Sequence, residues 1–454
     1  MALSRSVPER SEPRSRQACR AESLLFTLTA CMTLSNAPRL RLPVLSVLYL
    51  TQGIPTGFGT VTLAALLADQ GFSASAVAAF LAVSYLPWAF KLIYGPLVDR
   101  YAMSPIGRRR PWILLSQVGM VGSMALLLAV PGAGHRPVAL AALLFFHNTF
   151  GALQDVATDG LAVDLLDEDE RGIANGLMWS GKVLGIAVGG AGLSTLIARV
   201  HFDAAVWAQI GGLFGAVVLV LLVRERAGDR LLAPPAAVRS AWARRSTQDG
   251  WRRLLVKLRR AFRPAPARAA AGLALVAALP TRMLVAIGPV FAVQAAGWSD
   301  LGYSQFTGGP ALLMGVVGAA LGGWVADRLG RRRTLVGTTA GLLMLLVAFT
   351  LARPWWPADG VVVAFVGLAM LLDMALKTTL AALFMDTVRE EVAATQFTTY
   401  MTLGNLCNVL GSGLIVPLDA LLGFQGIFLS AVAVSGGVLA LLYWPRATQL
   451  AVKA

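Results

Sequence analysis

The sequence predicts an all-α integral membrane protein whose twelve transmembrane helices form two pseudo-symmetric six-helix bundles. Three observations lead there. The 454-residue chain is 56% hydrophobic and 14% charged, with a mean hydropathy of +0.67, against about 25% charged residues in a soluble domain. A phrase is written twice: Gly95-Pro96-Leu97-Val98-Asp99-Arg100 followed by Gly107-Arg108-Arg109-Arg110, and Gly323-Trp324-Val325-Ala326-Asp327-Arg328 followed by Gly330-Arg331-Arg332-Arg333. Each copy closes one apolar run and opens the next, the internal-repeat signature of a secondary transporter. Finally, the basic residues collect in alternate gaps between apolar runs.

A spanning helix needs about 20 mostly apolar residues. Read in order, the runs lie at roughly 44–68, 74–98, 111–131, 137–163, 171–198, 204–223, 269–296, 303–327, 334–352, 360–385, 393–416 and 424–444. Several are rich in Gly and Pro, which membrane helices tolerate for close packing or bending. Residues 1–43 read as a basic tail, disordered or lying on the membrane surface. Its stretch from Leu24 to Met32 mimics a signal peptide, and Leu28-Thr29-Ala30-Cys31 mimics a lipoprotein cleavage box. Cleavage there would put the first span on the wrong side for the charge pattern.

That pattern is strong. Of 39 Lys and Arg residues, Arg136, Arg199 and Arg353 fall on one side, and Lys91, Lys182, Arg282 and Lys377 fall inside spans. All the others lie on the side of the termini, which predicts both termini in the cytoplasm. Residues 44–223 and 269–444 are then the two bundles. The stretch 224–268 is a basic cytoplasmic linker, and 445–454 a short cytoplasmic tail. Trp251 to Phe262 could lie as a basic helix on anionic lipid; an orientation-setting linker is the simpler reading.

Several function classes are excluded. Cys19, Cys31 and Cys407 have no metal-ligand or disulfide spacing, and His135, His147 and His201 stand apart, so no metal and no cofactor is expected. No Gly-x-x-x-x-Gly-Lys-Ser/Thr loop is present, so ATP is not the direct driver. The formal charge of +15 lacks interleaved aromatics, which argues against nucleic acid. No nucleophile–base pair appears in any span, so the chain is not read as an enzyme.

The duplicated Gly-x-x-x-Asp-Arg…Gly-Arg-Arg phrase resembles the signature of the major facilitator superfamily between helices 2 and 3 and helices 8 and 9. Within that superfamily, three stretches resemble the muropeptide permease (AmpG-type) and acetyl-coenzyme A transporter group. They are Tyr49-Leu50-Thr51-Gln52-Gly53-Ile54-Pro55, Leu86-Pro87-Trp88-Ala89-Phe90-Lys91 running on to Asp99-Arg100-Tyr101, and Gln154-Asp155-Val156-Ala157-Thr158-Asp159-Gly160. The resemblance is dense in the first half and mainly architectural in the second. It implies a multi-pass permease of a bacterial inner membrane, monomeric, working by alternating access. It also implies gating by the motif residues Gly95, Asp99, Arg100, Gly107 and Arg108 and their counterparts Gly323, Asp327, Arg328, Gly330 and Arg331.

An ionised group near the bilayer centre costs about 2.5–3.5 kcal/mol on insertion scales. Asp155, Asp159, Lys182, Arg282, Asp373 and Lys377 should therefore face water or one another. Asp155 and Asp159 share one face of helix 4, and Asp373 and Lys377 one face of helix 10. Lys91 sits nearer the cytoplasmic end, where it could snorkel out. Aligning Asp164 with Asp386 brings Asp155 onto Lys377, an acid and a base that could face one another across a cavity. Gln52, His147, Asn148, Gln154, Asn175, Thr281, Asn405 and Asn408 add polar interruptions. Pro280 could loosen helix 7 beside Arg282. Asp164, Asp167 and Glu170 with Arg171, and Asp386, Arg389, Glu390 and Glu391, are expected partners of the Arg-rich turns. Gln52, Lys91 and Gln154 join the six mid-span charges as the expected substrate and proton pathway. The expected cargo is a polar, anionic solute coupled to protons: a sugar peptide of the muropeptide type, or acyl-coenzyme A. A sensor or assembly factor built on a transporter fold is the reading from a different class.

Overall fold

The structure, a computed structural model, describes residues 33–100, 105–166, 170–233, 256, 259–388 and 393–443. Within the first half, α1 covers 38–69, α2 Ala74–Ala89 and Lys91–Arg100, and α3 Arg110–Leu128. Pro137–Leu165 forms α4, 171–199 forms α5, and Phe202–Leu222 forms α6. In the second half α7 covers 265–295, α8 300–329, α9 Arg331–Leu351 and α10 Asp359–Thr387. The last helical stretch breaks at Gly423 (φ 60°, ψ −173°) into α11 (393–422) and α12 (424–443). Among the described residues ten stretches are long and apolar enough to cross a membrane. The last of them is the α11–α12 pair, and α1 completes the twelve long helices that the apolar runs predict.

Local chemistry sets the ends and bends. Ser73 caps α2 by accepting the Ala76 N–H (3.3 Å), as an N-cap serine does. Pro87 disturbs the α2 ladder, and at Phe90 the backbone leaves the helix (φ −91°, ψ 4°). α7 breaks in the same way at Ala278, just ahead of Pro280. π turns interrupt α1 (Phe58–Leu63), α5 (Val188–Gly192) and α7 (Phe291–Ala295). The first two lie together, and the Thr62 hydroxyl sits 2.8 Å from both the Gly189 and Gly190 carbonyls.

α1 and α5 approach backbone to backbone. A methyl group on Gly53 would stand 2.2 Å from the Lys182 carbonyl oxygen, and one on Gly57 2.2 Å from that of Ile186. Seen from α5, methyl groups on Gly181, Gly185 and Gly189 would stand 2.4, 2.3 and 1.9 Å from the carbonyl oxygens of Ser46, Leu50 and Ile54. Small residues at i and i+4 are what permit such contact in lipid. In the second half, Gly318 and Gly322 of α8 play this part against Leu371 and Ala375 of α10.

The halves close on each other at the side away from the termini. There the Gln294 amide donates to the carbonyls of Ala68 (2.8 Å) and Phe72 (2.9 Å), and the Ser75 N–H donates to the Asp419 carboxylate (2.8 Å). Gln305 reaches Thr195 (3.2 Å) on the same side. α2 and α11 stay in contact down to mid-depth, where Asn405 donates to the Trp88 carbonyl (3.2 Å). Among the described residues no hydrogen bond between the halves lies nearer the Arg-rich turns than this one, although Lys91–Arg100 keeps some contact with α11. The space on that side, where Asp159 and Lys377 are exposed, is the cleft.

The tail is ordered further out than the sequence indicates. Thr33 pairs with Arg224, the Leu34 N–H donates to the Arg224 carbonyl (2.9 Å) and the Ser35 N–H to that of Glu225 (3.0 Å). Backbone pairing with the end of α6, invisible in hydropathy, starts the structured chain before residue 38. Residues 1–32 and most of the stretch from Trp251 to Phe262 lie outside the described residues, and so do Tyr101, Asp167, Arg389, Glu390 and Glu391.

Candidate functional site

The cleft is lined by two charge clusters, one in each half. In the first, α4 supplies Asp155 and Asp159, α2 supplies Lys91, and α5 supplies Lys182. Asp155 is 3% exposed. It forms an ion pair with Lys91 and a longer one with Lys182 (3.7 Å). Asp159, one turn nearer the cleft mouth, is exposed and accepts from the Tyr49 hydroxyl. The Lys182 ammonium sits among three rings, 4.9 Å from the centroid of Trp88, 5.5 Å from Trp179 and 5.6 Å from Tyr49. The Lys91 ammonium lies 5.3 Å from the centroid of the same Trp88 ring. Such contacts hold a cation by the negative face of the ring.

In the second cluster, α10 supplies Asp373 and Lys377 and α7 supplies Thr281 and Arg282. Asp373 is 4% exposed and is met from three directions. Arg282 forms an ion pair with it, Lys377 lies at 3.0 Å, and the Thr281 hydroxyl donates at 2.7 Å. Arg282 is backed by α11, where a methyl group on Gly411 would fall 2.3 Å from its Cβ. The Lys377 side chain is 38% exposed, so its ammonium reaches the open cleft.

Two expectations are corrected. Asp155 and Lys377 are not paired with one another; among the described residues each cluster neutralises its own buried acid with bases of its own half. Lys91 does not snorkel to the surface. The α2 break at Phe90 re-aims the residue that follows it, turning Lys91 inward onto Asp155 with 13% of its side chain exposed.

The polar residues of the spans divide. Gln154 accepts from Gln117 (3.0 Å) and donates to the Leu48 carbonyl (3.0 Å), tying α1, α3 and α4 together. Gln52 is 2% exposed, and among the described residues neither its amide nitrogen nor its amide oxygen has a hydrogen-bond partner. His147 bonds to Ser123 (2.8 Å), and Asn148 donates to the Ser84 carbonyl (2.8 Å). Both are interhelical links away from the charges.

Among the described residues the ion pairs of the Arg-rich turns stay within their own halves. Arg109 meets Asp164 at 2.9 Å and Arg108 meets it at 3.6 Å; in the second half Arg331 meets Asp386 at 3.2 Å and also pairs with Asp327. Gly107 (φ 118°) and Gly330 (φ 86°) hold backbone conformations that disfavour side chains. Gly95 has open space around it, Gly323 has an ordinary contact with Thr378, and Arg328 stacks on Trp324 at 4.2 Å. The side chains of Asp99, Arg100 and Arg171 lie outside the described residues. Glu225, which no sequence motif marks, accepts the backbone N–H groups of Arg108 (2.7 Å), Arg109 (2.7 Å) and Arg110. Tyr49, Trp88, Trp179 and Gln117 are also not among the expected site residues. Trp88 and Trp179 share their spans with Lys91 and Lys182, whereas Tyr49 and Gln117 lie on α1 and α3, which hold none of the mid-span charges.

The family model described as Major Facilitator Superfamily matches residues 45–412. An anhydromuropeptide permease of Escherichia coli (strain K12) is 29% identical over 189 residues, covering 41% of this chain and 38% of the permease. An uncharacterised protein of Haemophilus influenzae is 31% identical over 177 residues, 38% of this chain and 40% of that protein. The chain thus spans about two fifths of the length of these curated relatives. Among solved structures, a bacterial homologue of the human lysosomal transporter Spinster, inward-facing and unoccupied, superimposes with a TM-score of 0.67 at 14% identity, over 90% of this chain and 96% of that one. A human organic anion transporter does so with a TM-score of 0.59 at 17% identity, over 89% and 99%. At these identities the structural likeness speaks for the fold.

Proposed function

The chain belongs to the Major Facilitator Superfamily, and from that premise we propose that it imports a polar, anionic solute of the anhydromuropeptide class by proton-coupled alternating access. The observation that carries this reading is the charge of the second cluster, where Arg282 and Lys377 share the single carboxylate of Asp373. One positive charge is left over at mid-depth, beside a cleft, in a place where an uncompensated ion is costly. An anionic group of the cargo is the natural partner. The sugar-peptide class follows from the likeness to the permease over part of the chain.

The first cluster supplies the proton step. A carboxylate in a dry site keeps its charge only while a cation stands beside it. Asp155 has both lysines beside it in this conformation, which is the proton-released state. Movement of α2 or α5 that draws Lys91 or Lys182 away leaves Asp155 to bind a proton. The Arg-rich side is placed in the cytoplasm by the positive-inside rule, so the cleft described above is the cytoplasm-open state of an inner-membrane protein.

Reconstituted vesicles test the reading. Uptake of an anhydromuropeptide should rise with an inward-directed proton gradient. Asp155→Asn should abolish the response to the gradient, and Lys377→Ala should lower uptake about tenfold or more, the scale of one lost charge-assisted contact. Equal uptake with and without the gradient removes the coupling step. Sole transport of an uncharged hydrophobic compound removes the anionic site.

A further inference from the structure

The two clusters differ in more than their sums. The first cluster holds two acids and two bases, yet both lysines are committed to Asp155. Asp159 has one hydrogen-bond partner among the described residues, the neutral Tyr49 hydroxyl, which takes its Oδ1. Among the described residues its Oδ2 has no hydrogen-bond partner, and neither lysine comes within ion-pair distance of the carboxylate. The cage of Trp88, Trp179 and Tyr49 contributes to this by holding the Lys182 ammonium in place. The first half therefore shows the cleft an exposed carboxylate, and the second half shows it a surplus ammonium.

These two ends sit at similar depths. Asp159 lies six residues before the end of α4 at Leu165, and Lys377 ten before the end of α10 at Thr387. At about 1.5 Å per residue their depths differ by roughly 6 Å. They also flank one interface. Trp88 lies over Lys91 and Lys182 and receives Asn405 of α11, and the same helix packs Gly411 on Arg282.

We propose that the cleft reads a solute of mixed charge: an ammonium group seats on Asp159 from the first half, and a carboxylate or comparable anionic group seats on Lys377 and Arg282 from the second. Taken together, the clusters favour a cargo with one more anionic group than cationic groups. This deepens the anionic-cargo reading given above and rests on it for the anionic end. The ammonium end is new, and it explains why an acid stands open in the cleft of a carrier for anions.

The test uses the full chain in proteoliposomes and six probes. Three are an anhydromuropeptide whose peptide ends in a diamino acid, the same compound with its side amine acetylated, and the same compound with its terminal carboxyl amidated. The other three are the corresponding sugar-free peptides, with the amino terminus acetylated in all of them so that only the side amine varies. Acetylating the side amine and amidating the carboxyl should each lower uptake about tenfold or more. Asp159→Asn should bring the ratio between the free and acetylated amines to about one, and Lys377→Met the ratio between carboxyl and amide. Gel filtration in detergent confirms that each variant is folded, and the probe ratios of the unaltered protein need no variant. Uptake indifferent to acetylation, or a ratio that survives Asp159→Asn, overturns the proposal. Uptake of both series without the charge rule sinks this inference and leaves the sugar-peptide reading standing. Uptake of the sugar-free series alone, with the rule intact, does the reverse. Entry of neither series sinks both.

Discussion

Arg110 is 2% exposed, and its guanidinium is satisfied by carbonyl oxygens. It donates to Val220 (2.8 Å), Leu221 (2.8 Å) and Arg230 (3.0 Å), the first two at the carboxyl end of α6. Glu225 answers at the amino end of α3, where it accepts three backbone N–H groups. A base on a helix carboxyl end and an acid on an amino end both complement the backbone dipole. Each buried charge-assisted bond contributes about 1.5–3 kcal/mol. Arg110→Met should therefore lower the melting temperature in detergent clearly, and Arg110→Lys should not restore it, because one ammonium cannot serve a fan of carbonyls. Among the described residues Arg332, the counterpart in α9, reaches one carbonyl, that of Leu442 (3.4 and 3.2 Å), so Arg332→Met should cost less. Burial pushes the Glu225 carboxyl up, and the three N–H groups oppose that shift without cancelling it. The charged form is thus less favoured folded than unfolded. The stability tied to this group is full below the ordinary glutamate range and falls as pH rises through the raised value. Glu225→Gln lacks that dependence, so its melting temperature relative to the parent should climb between acidic and neutral pH. A parallel pair of curves would refute the assignment. Little of this clasp was legible in the sequence. Arg110 reads there as one more orienting arginine and Glu225 as the first acid of a linker, because a cap formed across more than a hundred residues leaves no local pattern.

At the scale of the helix, the contact between α1 and α5 is the most demanding in the protein. A methyl group on Gly189 would lie 1.9 Å from the Ile54 carbonyl and one on Gly185 2.3 Å from that of Leu50, and the obstacle is backbone, which cannot rotate aside. Gly185→Leu should destabilise the fold by at least the 1–3 kcal/mol or so typical of overpacking. Gly176→Ala, on the same helix with nothing within 4 Å, should be harmless. Equal yields of both variants in fluorescence-detected gel filtration would show that the ladder is not needed. The helices themselves were legible, because a run of about 20 apolar residues has few other uses. Their interruptions were legible only in part. Pro87 and Pro280 announce breaks, but the inward turn of Lys91 depends on where the chain resumes its helix after Phe90. The π turns of α1 and α5 have no sequence signature beyond the Gly and Thr residues that accompany them. Pairing by repeat misled for a related reason. Arg109, Arg110 and Asp164 stand to Arg331, Arg332 and Asp386 at one constant offset, and that offset does carry Asp155 onto Lys377. Yet Asp373 falls opposite Gly151, so the second half holds its own acid and needs none from the first.

At the scale of the whole molecule, the arginine turns and the closure between halves do separate work in this conformation. Arg109 with Asp164 and Arg331 with Asp386 each join helices of one half, so they stiffen the bundles and leave the two free to part on that side. The halves are held on the opposite side by exchanged helix caps. Gln294 of α7 satisfies carbonyls of Ala68 and Phe72 at the end of α1, and Asp419 of α11 accepts the Ser75 N–H at the start of α2. The Phe72 carbonyl and the Ser75 N–H have no backbone partner of their own, and the Ala68 carbonyl keeps the Gly71 N–H (3.0 Å) when Gln294 leaves, so solvent can replace the other half at little cost. Such a latch can open without leaving a buried polar group stranded. A covalent substitute should therefore trap the carrier. In a chain with Cys19, Cys31 and Cys407 replaced by serine, Ser75→Cys together with Asp419→Cys places two thiols across the latch. Oxidation should abolish uptake, a reductant should restore it, and each single cysteine should transport with or without oxidant. A pair that crosslinks fully, as judged by the shift in mobility on a gel, and still transports would mean that this face never opens. The cleft on the arginine side would then be a dead end, and alternating access about these two clusters would be wrong.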